Sequence, residues 1–254
     1  MRTAIIIGFV ITVGLVAFGV NLSFEYKSPP ESKTQIPSSK KTVPGSEVPS
    51  SMDVVSTSAS SIATVNEQAE KLMLCLEEES CDYPQTDPRS YGYALGKDMI
   101  QLMVSSQQAM VEGNLDTFQL RKIGLTFLSV PDGHVQAKAI SVLNTLPVDS
   151  ETFVRVDSVL NDHFDSVLLE KSLSFLLRYH THGFGNEVDR LLQKQIRSGG
   201  HFSRQMLSAK ILPFINESNV ESYRSTANSL SQQSLEYRQL TTVLKEYQLF
   251  QQGG

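Results

Sequence analysis

An apolar pattern that returns every 33 to 35 residues is the feature that most restricts how this chain can fold. In the run from Val135 to Leu146, the apolar positions Val135, Ala139 and Leu143 lie on one face of a helix. Shifts of 33, 35 and 33 residues toward the C-terminus, and of 33 toward the N-terminus, bring the pattern back. A fixed period of this length with two helices per unit is typical of proteins built by stacking helix pairs.

This period predicts a matching set of buried residues in the second helix of each unit. The positions are Leu102, Val135, Ala139, Leu143, Leu168, Ser172, Leu176, Leu207, Ile211, Leu240 and Leu244. A separate register of 35 residues through the first helices predicts buried positions at Phe118, Phe153, Val188 and Tyr223. The match is imperfect, because Gln107 and Glu236 stand where the best-defined unit carries apolar residues.

Turn signals separate the predicted helices. They are Val-Pro-Asp-Gly at 130–133, Leu-Pro-Val-Asp at 146–149, His-Gly-Phe-Gly at 182–185 and Ser-Gly-Gly at 198–200. Strand signals are nearly missing, since alternating β-branched residues are rare and no Asn-Gly or Asp-Gly turn joins two such runs. We therefore predict an all-α fold.

The best-defined unit, DGHVQAKAISVLNTLP at residues 132–147, resembles the second helix of a HEAT-like repeat. In that repeat an aspartate precedes a valine, and small residues and a leucine pack the turn against the next unit. SVLLEKSLSFLL, residues 166–177, resembles it more loosely, and the likeness covers roughly residues 88–247. The resemblance implies a HEAT-like α-solenoid. On the residues alone, another helix-pair solenoid and a bundle of regular helices remain open.

An apolar segment near the N-terminus predicts attachment to a membrane. It begins at Thr3, ends at Val20 and holds 18 residues without a charge, which as a helix would span about 27 Å. We expect a single-pass anchor, because the run exceeds the apolar region of most signal peptides; cleavage and secretion are the alternative. A short N-terminal flank usually stays inside, which would place the C-terminal domain on the extracytoplasmic side, periplasmic or extracellular.

Composition divides the chain into three parts. Residues 1–27 form the predicted anchor or signal segment. Residues 28–61 hold five of the ten prolines and eleven serines, so they should form a disordered linker that cannot bury enough apolar surface to fold. Residues 62–254 form the predicted helical repeat domain.

The two cysteines, Cys75 and Cys81, are predicted to form a disulfide. Residues six apart in a continuous helix lie about 9 Å apart along the axis, beyond the roughly 7 Å that a disulfide spans. The helix must therefore end near Glu79 or Ser80, and an N-cap at Asp87 followed by Pro88 should begin the next helix. An exported domain meets an oxidising environment, which favours the bond.

The sequence carries no local signature of catalysis. We find no nucleophile elbow, phosphate loop, dinucleotide fingerprint or zinc-protease motif, and predict no catalytic, cofactor-binding or metal site. The histidines at 134, 163, 180, 182 and 201 are predicted to lie on the surface, and the net charge of −5 argues against nucleic-acid binding. We expect a membrane-tethered scaffold or adaptor for protein or peptide partners. The alternatives are a structural subunit of an envelope assembly, or an enzyme whose catalytic residues are dispersed.

Overall fold

Helices dominate the part of the chain that the structure, a computed structural model, describes: residues 60–85, 87, 89–162 and 165–253. The α-helices are α1 (Ser60–Glu78), α2 (Ser90–Val111), α3 (Thr117–Leu128), α4 (Gly133–Leu143), α5 (Ser150–Asp162), α6 (Ser166–Tyr179), α7 (Gly185–Ser198), α8 (His201–Lys210), α9 (Val220–Asn228) and α10 (Leu235–Gln252). A π-turn, His180–Phe184, joins α6 to α7, and a 3-10 turn, Leu212–Phe214, follows α8. The described residues contain no strand, so the all-α prediction is confirmed.

Aspartate caps begin several of these helices. Asp132 accepts hydrogen bonds from the backbone N–H groups of His134 and Val135, and Asp165 does the same at the start of α6. Asp116 and Gln119 form a reciprocal capping box at the start of α3. Asp132 and Asp165 are 33 residues apart, the same interval as one shift of the apolar pattern, so the start of these helices recurs together with that pattern.

The order of helix contacts is regular. Each even-numbered helix packs against the next even-numbered helix, from α2 to α10, and each odd-numbered helix packs against the next odd-numbered one, from α1 to α9. The two helices of each successive pair, such as α1 with α2 and α7 with α8, also pack against each other, most extensively α3 with α4. The principal contacts thus join helices that are adjacent or next but one in the chain.

Side-chain hydrogen bonds connect residues that are 31 to 35 positions apart in the chain. Lys138 Nζ donates to Gln107 Oε1 at 2.6 Å, across a separation of 31 residues. Gln195 Nε2 donates to the backbone carbonyl of Leu160 at 2.7 Å, across 35 residues. These bonds link helices that are next but one in the chain, α2 to α4 and α5 to α7, so polar as well as apolar contacts join such helices.

Fourteen of the fifteen residues expected in the repeat core are buried. They are Leu102, Val135, Ala139, Leu143, Phe153, Leu168, Ser172, Leu176, Val188, Leu207, Ile211, Tyr223, Leu240 and Leu244. Glu236, the charged residue that departs from the apolar pattern, is also buried. Its carboxylate pairs with Arg204 Nη2 at 3.5 Å and with His201 Nδ1 at 3.6 Å. An ion pair with the preceding even-numbered helix thus takes the place of an apolar contact.

Phe118 is the exception, and the prediction that it is buried is wrong. Its side chain is 70% exposed, whereas Leu120 is fully buried. Phe153, Val188 and Tyr223 each occupy the fourth position of their helices, and in α3 that position is Leu120. The register between α3 and α5 is therefore 33 residues rather than 35, and the two-residue offset turns Phe118 about 200° away from the core.

The middle of the fold is closely packed around Gly124 of α3. A Cβ atom built on this glycine would lie 2.9 Å from Cδ2 of Leu143, which belongs to α4. Because Gly124 has no side chain, the backbone of α3 can pack directly against the Leu143 side chain of α4.

The N-terminal predictions fall mostly outside the described residues. The segment from Thr3 to Val20 and residues 28–59 of the expected linker lie there, while Ser60 and Ser61 belong to α1. None of the helices that the structure describes combines the length and apolar character needed to cross a membrane.

Candidate binding surfaces

A groove runs along the first helix pair, and we call it the α1–α2 groove. Its volume is about 710 Å³. Gln68, Lys71 and Leu72 of α1 line one wall, and Asp98 and Gln101 of α2 line the other. These α1 residues point away from α3, because the α1 residues beside α3, such as Ala69 and Met73, occupy the opposite face of the helix. The groove therefore opens on the side of the first pair that carries no further described helix.

A disulfide closes one end of this groove. Cys75 and Cys81 are bonded, with Cα atoms 5.3 Å apart. Helix α1 ends at Glu78, and Glu79 takes a positive φ of 50°, which turns the chain back toward α1. This agrees with the prediction that the helix must end before the second cysteine.

The start of α2 differs from the sequence prediction. Its N-cap is Arg89 and its first residue is Ser90, so Asp87 is not the cap. Asp87 Oδ1 instead accepts a hydrogen bond from the backbone N–H of Arg89 at 2.6 Å. The aspartate stabilises the turn before the helix, which shifts the helix start two residues toward the C-terminus.

Two tyrosines hold the disulfide loop against α2. Tyr83 Oη donates to Asp98 Oδ2 at 2.7 Å, and Tyr91 Oη donates to the backbone carbonyl of Cys75, also at 2.7 Å. The two rings meet edge to face, with centroids 5.4 Å apart. Partial burial, the hydrogen bond to Asp98 and the charge of Asp98 together raise the pKa of Tyr83 to about 12.

A second, more apolar groove lies between α6 and α8. It has a volume of about 410 Å³ and is lined mainly by Leu173, Leu177, Leu212 and Phe214. At its rim Lys210 of α8 pairs with Glu170 of α6. We call it the α6–α8 groove; its surface suits apolar side chains of a bound chain.

Phe118 lies at a third groove, of about 440 Å³, between α3 and α5. Lys122, Glu151 and Arg155 line it together with the exposed ring. The residue expected in the core is thus part of an open surface with charges of both signs.

Three side chains from the second half of the fold converge on one buried carboxylate, that of Asp189. Asp189 Oδ1 accepts hydrogen bonds from Tyr223 Oη at 2.8 Å and from His180 Nε2 at 3.2 Å. Asp189 Oδ2 accepts one from Asn219 Nδ2 at 2.9 Å. We call His180, Asp189, Asn219 and Tyr223 the Asp189 cluster. Burial and the neighbouring Asp189 charge raise the pKa of Tyr223, so its phenol stays a donor.

The Asp189 cluster has the chemistry of a structural network. Both carboxylate oxygens accept hydrogen bonds from side chains of the π-turn, α9 and the residue before α9. Asn219 Nδ2 also donates to the carbonyl of Phe214 at 2.8 Å, which ties the 3-10 turn after α8 to the start of α9. The cluster therefore fixes the relative positions of these segments.

His180 corrects the prediction that the histidines lie on the surface. Its side chain is 8% exposed, because the π-turn directs it inward onto Asp189, whereas His134, His182 and His201 are exposed as expected. His163 lies outside the described residues. Within the described part of the chain, no three or more His, Cys, Asp or Glu side chains converge in a way that could hold a metal ion.

Sequence reasoning missed Asp98, Tyr83 and the partners of Tyr223. A polar residue beside a buried valine, as in Val188-Asp189, is a weak signal because most such residues face solvent. The spacing of 34 residues between Asp189 and Tyr223, which lies within the period of the apolar pattern, was the available clue. No corresponding spacing connects Tyr83 to Asp98, since their contact depends on how the disulfide loop folds back.

Comparison with known proteins yields no relative: no protein-family model, no curated protein and no solved structure matches this chain.

Proposed function

We propose that this protein is a membrane-tethered, exported scaffold or adaptor with a HEAT-like α-solenoid, and that it binds a protein or peptide partner. The observation that carries the proposal is the order of helix contacts, in which each helix packs against the helix that is next but one in the chain. A helix pair that cannot bury its apolar face alone gains stability by such stacking, and the outer surface is left free for recognition.

The hydrogen bonds that span one repeat support the same architecture. Asn219 to Asp189, Thr226 to Gln193 and Lys194 to Asn161 join residues 30, 33 and 33 apart. A bundle with regular helix lengths would not require bonds at the repeat spacing. The grooves along α1–α2 and between α6 and α8 supply surfaces on which an extended chain can dock.

The anchor assigned to the segment from Thr3 to Val20 belongs to this proposal as well. With the domain on the extracytoplasmic side, the Cys75–Cys81 bond would form in an oxidising environment. A domain attached near a membrane can hold its partner there, which is the role of an adaptor.

Site-specific photo-crosslinking in native membranes tests the proposal. A benzoylphenylalanine would replace Gln101 in the α1–α2 groove, Ser174 in the α6–α8 groove, or exposed Arg238 on α10 as a control. We expect a discrete adduct of one partner from at least one groove position and none from Arg238. Absence of adducts above the Arg238 control at both grooves would overturn the binding role.

A further inference from the structure

Negative charge is concentrated in the first helix pair. Residues 60–111 contain eight acidic and three basic residues, for a net charge of −5. Residues 112–253 contain fifteen acidic and fourteen basic residues, for a net charge of −1. The part of the domain that carries the α1–α2 groove is therefore also the more acidic of these two parts.

Within the α1–α2 groove, the charged lining is set by two carboxylates, Asp82 and Asp98, and one ammonium group, Lys71. Neither carboxylate forms an ion pair with another described residue. The exposed run Glu77–Glu79 stands at the end of α1 beside the disulfide loop. A chain lying in the groove meets an excess of negative charge along its path.

The apolar part of the lining is equally defined. Leu72, Leu102 and the Cys75–Cys81 bond line the same groove. From Asp98 to Ser105 the α2 wall is about 10 Å long, which three or four residues of an extended peptide would span. In an extended peptide, alternate side chains point to opposite sides, so basic and apolar residues at intervals of two suit such a surface.

We infer that the α1–α2 groove binds an extended arginine- or lysine-rich segment of a partner protein; this deepens the proposed scaffold function and rests on it. Guanidinium and ammonium groups of the segment bind Asp82 and Asp98, and their aliphatic stems lie over Leu72 and Leu102. Tyr83 contributes by donating to Asp98 Oδ2, which orients that carboxylate at the groove wall. The surrounding negative charge speeds encounter with a basic segment and disfavours an acidic one.

Fluorescence anisotropy with defined peptides tests this inference on the full chain in nonionic detergent. The probe is a labelled hexapeptide in which arginine alternates with leucine, compared with peptides carrying glutamine or glutamate in place of arginine. We expect the arginine peptide to bind about tenfold more tightly than the glutamine peptide at low salt, with the glutamate peptide weakest. The preference should shrink as salt is raised to about 0.5 M. Equal binding of the arginine and glutamine peptides would overturn the inference.

Variants separate docking in the groove from adhesion to a charged surface. The double variant Asp82→Asn with Asp98→Asn keeps the acceptor for Tyr83 and should weaken the arginine peptide about fivefold or more. Glu217→Gln with Glu246→Gln removes two exposed charges outside the first helix pair and should change binding less than twofold, on the order of experimental error. An equal loss from both double variants would overturn the inference.

A second set of variants fills the groove with a larger side chain and leaves its charge unchanged. Gln101→Trp, or Ser105→Tyr if the first variant unfolds, should weaken the arginine peptide about fivefold, because both positions are exposed and line the groove. Unchanged binding in a filled groove would show charge-only adhesion and overturn the inference. If crosslinking from Ser174 still captures a partner in that case, the scaffold function stands and only its assigned site is wrong.

Discussion

The first helix pair and the Asp189 cluster stabilise two parts of the same fold by different chemistry. The first pair is closed by a covalent bond between residues six apart and by tyrosines at the loop. The cluster, which joins α7 to α9 and to the π-turn, relies on a buried carboxylate with three side-chain donors. A disulfide acts largely by restricting the unfolded chain, whereas the cluster acts in the native state through exact geometry. The two regions should therefore respond differently to substitution.

The largest effect is expected from Asp189→Ala. Loss of the carboxylate leaves three buried donors without their acceptor, which should lower the free energy of unfolding by about 3–5 kcal/mol. Asp189→Asn keeps one acceptor oxygen and should cost less, about 1–3 kcal/mol. Urea unfolding of the full chain, followed by circular dichroism, measures both. A loss below about 1 kcal/mol for the alanine variant would show that the cluster contributes little.

Substitutions in the apolar core around Leu143 provide a reference for the loss of stability expected at the Asp189 cluster. Leu143→Ala removes a fully buried side chain and should cost about 2–4 kcal/mol through cavity formation. Gly124→Ala places a Cβ against Leu143 Cδ2 and should cost about 1–3 kcal/mol. In the double variant the cavity accepts the new methyl group, so the combined loss should be smaller than the sum. Strict additivity in urea unfolding would contradict this packing.

The disulfide should matter less than the cluster. Cys75→Ser with Cys81→Ser reopens a short loop, which should cost about 2 kcal/mol in the chain-entropy model. The loss should appear as faster hydrogen exchange in α1 and the start of α2, with little change in α7 and α9. Exchange that accelerates equally throughout these helices would mean that the first pair does not open separately.

The smallest effect is expected from Tyr83→Phe, and its signature is a pH dependence. The folded-state pKa of Tyr83, about 12, lies above the ordinary value of 10.0, so folding favours the protonated phenol. This contribution is complete below pH 10 and is lost as the pH rises toward 12. Stability of the parent chain should fall across this window more steeply than that of Tyr83→Phe. Identical alkaline profiles would contradict the assigned hydrogen bond.

Much of the fold was predictable because helix periodicity is local. The apolar face around Val135 and Leu143 repeats, and the caps Asp132 and Asp165 repeat with it. Phe118 shows the limit of this reasoning. Either Phe118 or Leu120 could occupy the buried position of α3, and the residue at which the helix starts decides which of the two is buried. A shift of two residues reverses which side of a helix is buried.

The candidate sites were less predictable because they depend on where the chain changes direction. His180 reaches Asp189 only through the π-turn, in which Gly183 has a φ of 97°. Asp98 enters the α1–α2 groove beside Tyr83 only because the disulfide loop folds back onto α2. Neither turn has a periodic signature in the sequence. The residues of these sites could be read from the sequence, but their contacts with one another could not be predicted.

The order of helix contacts also has a mechanical consequence. The principal contacts of each helix are with helices that are adjacent or next but one in the chain. Tension applied along the chain at Ser60 therefore acts first on α1, which packs mainly on α2 and α3. The chain should then yield one helix pair at a time, and each pair of about 34 residues would lengthen the molecule by roughly 110 Å. The Cys75–Cys81 bond keeps the chain between the two cysteines, at the end of α1, out of this extension. Such a domain would behave under load as a series of separate extensible links.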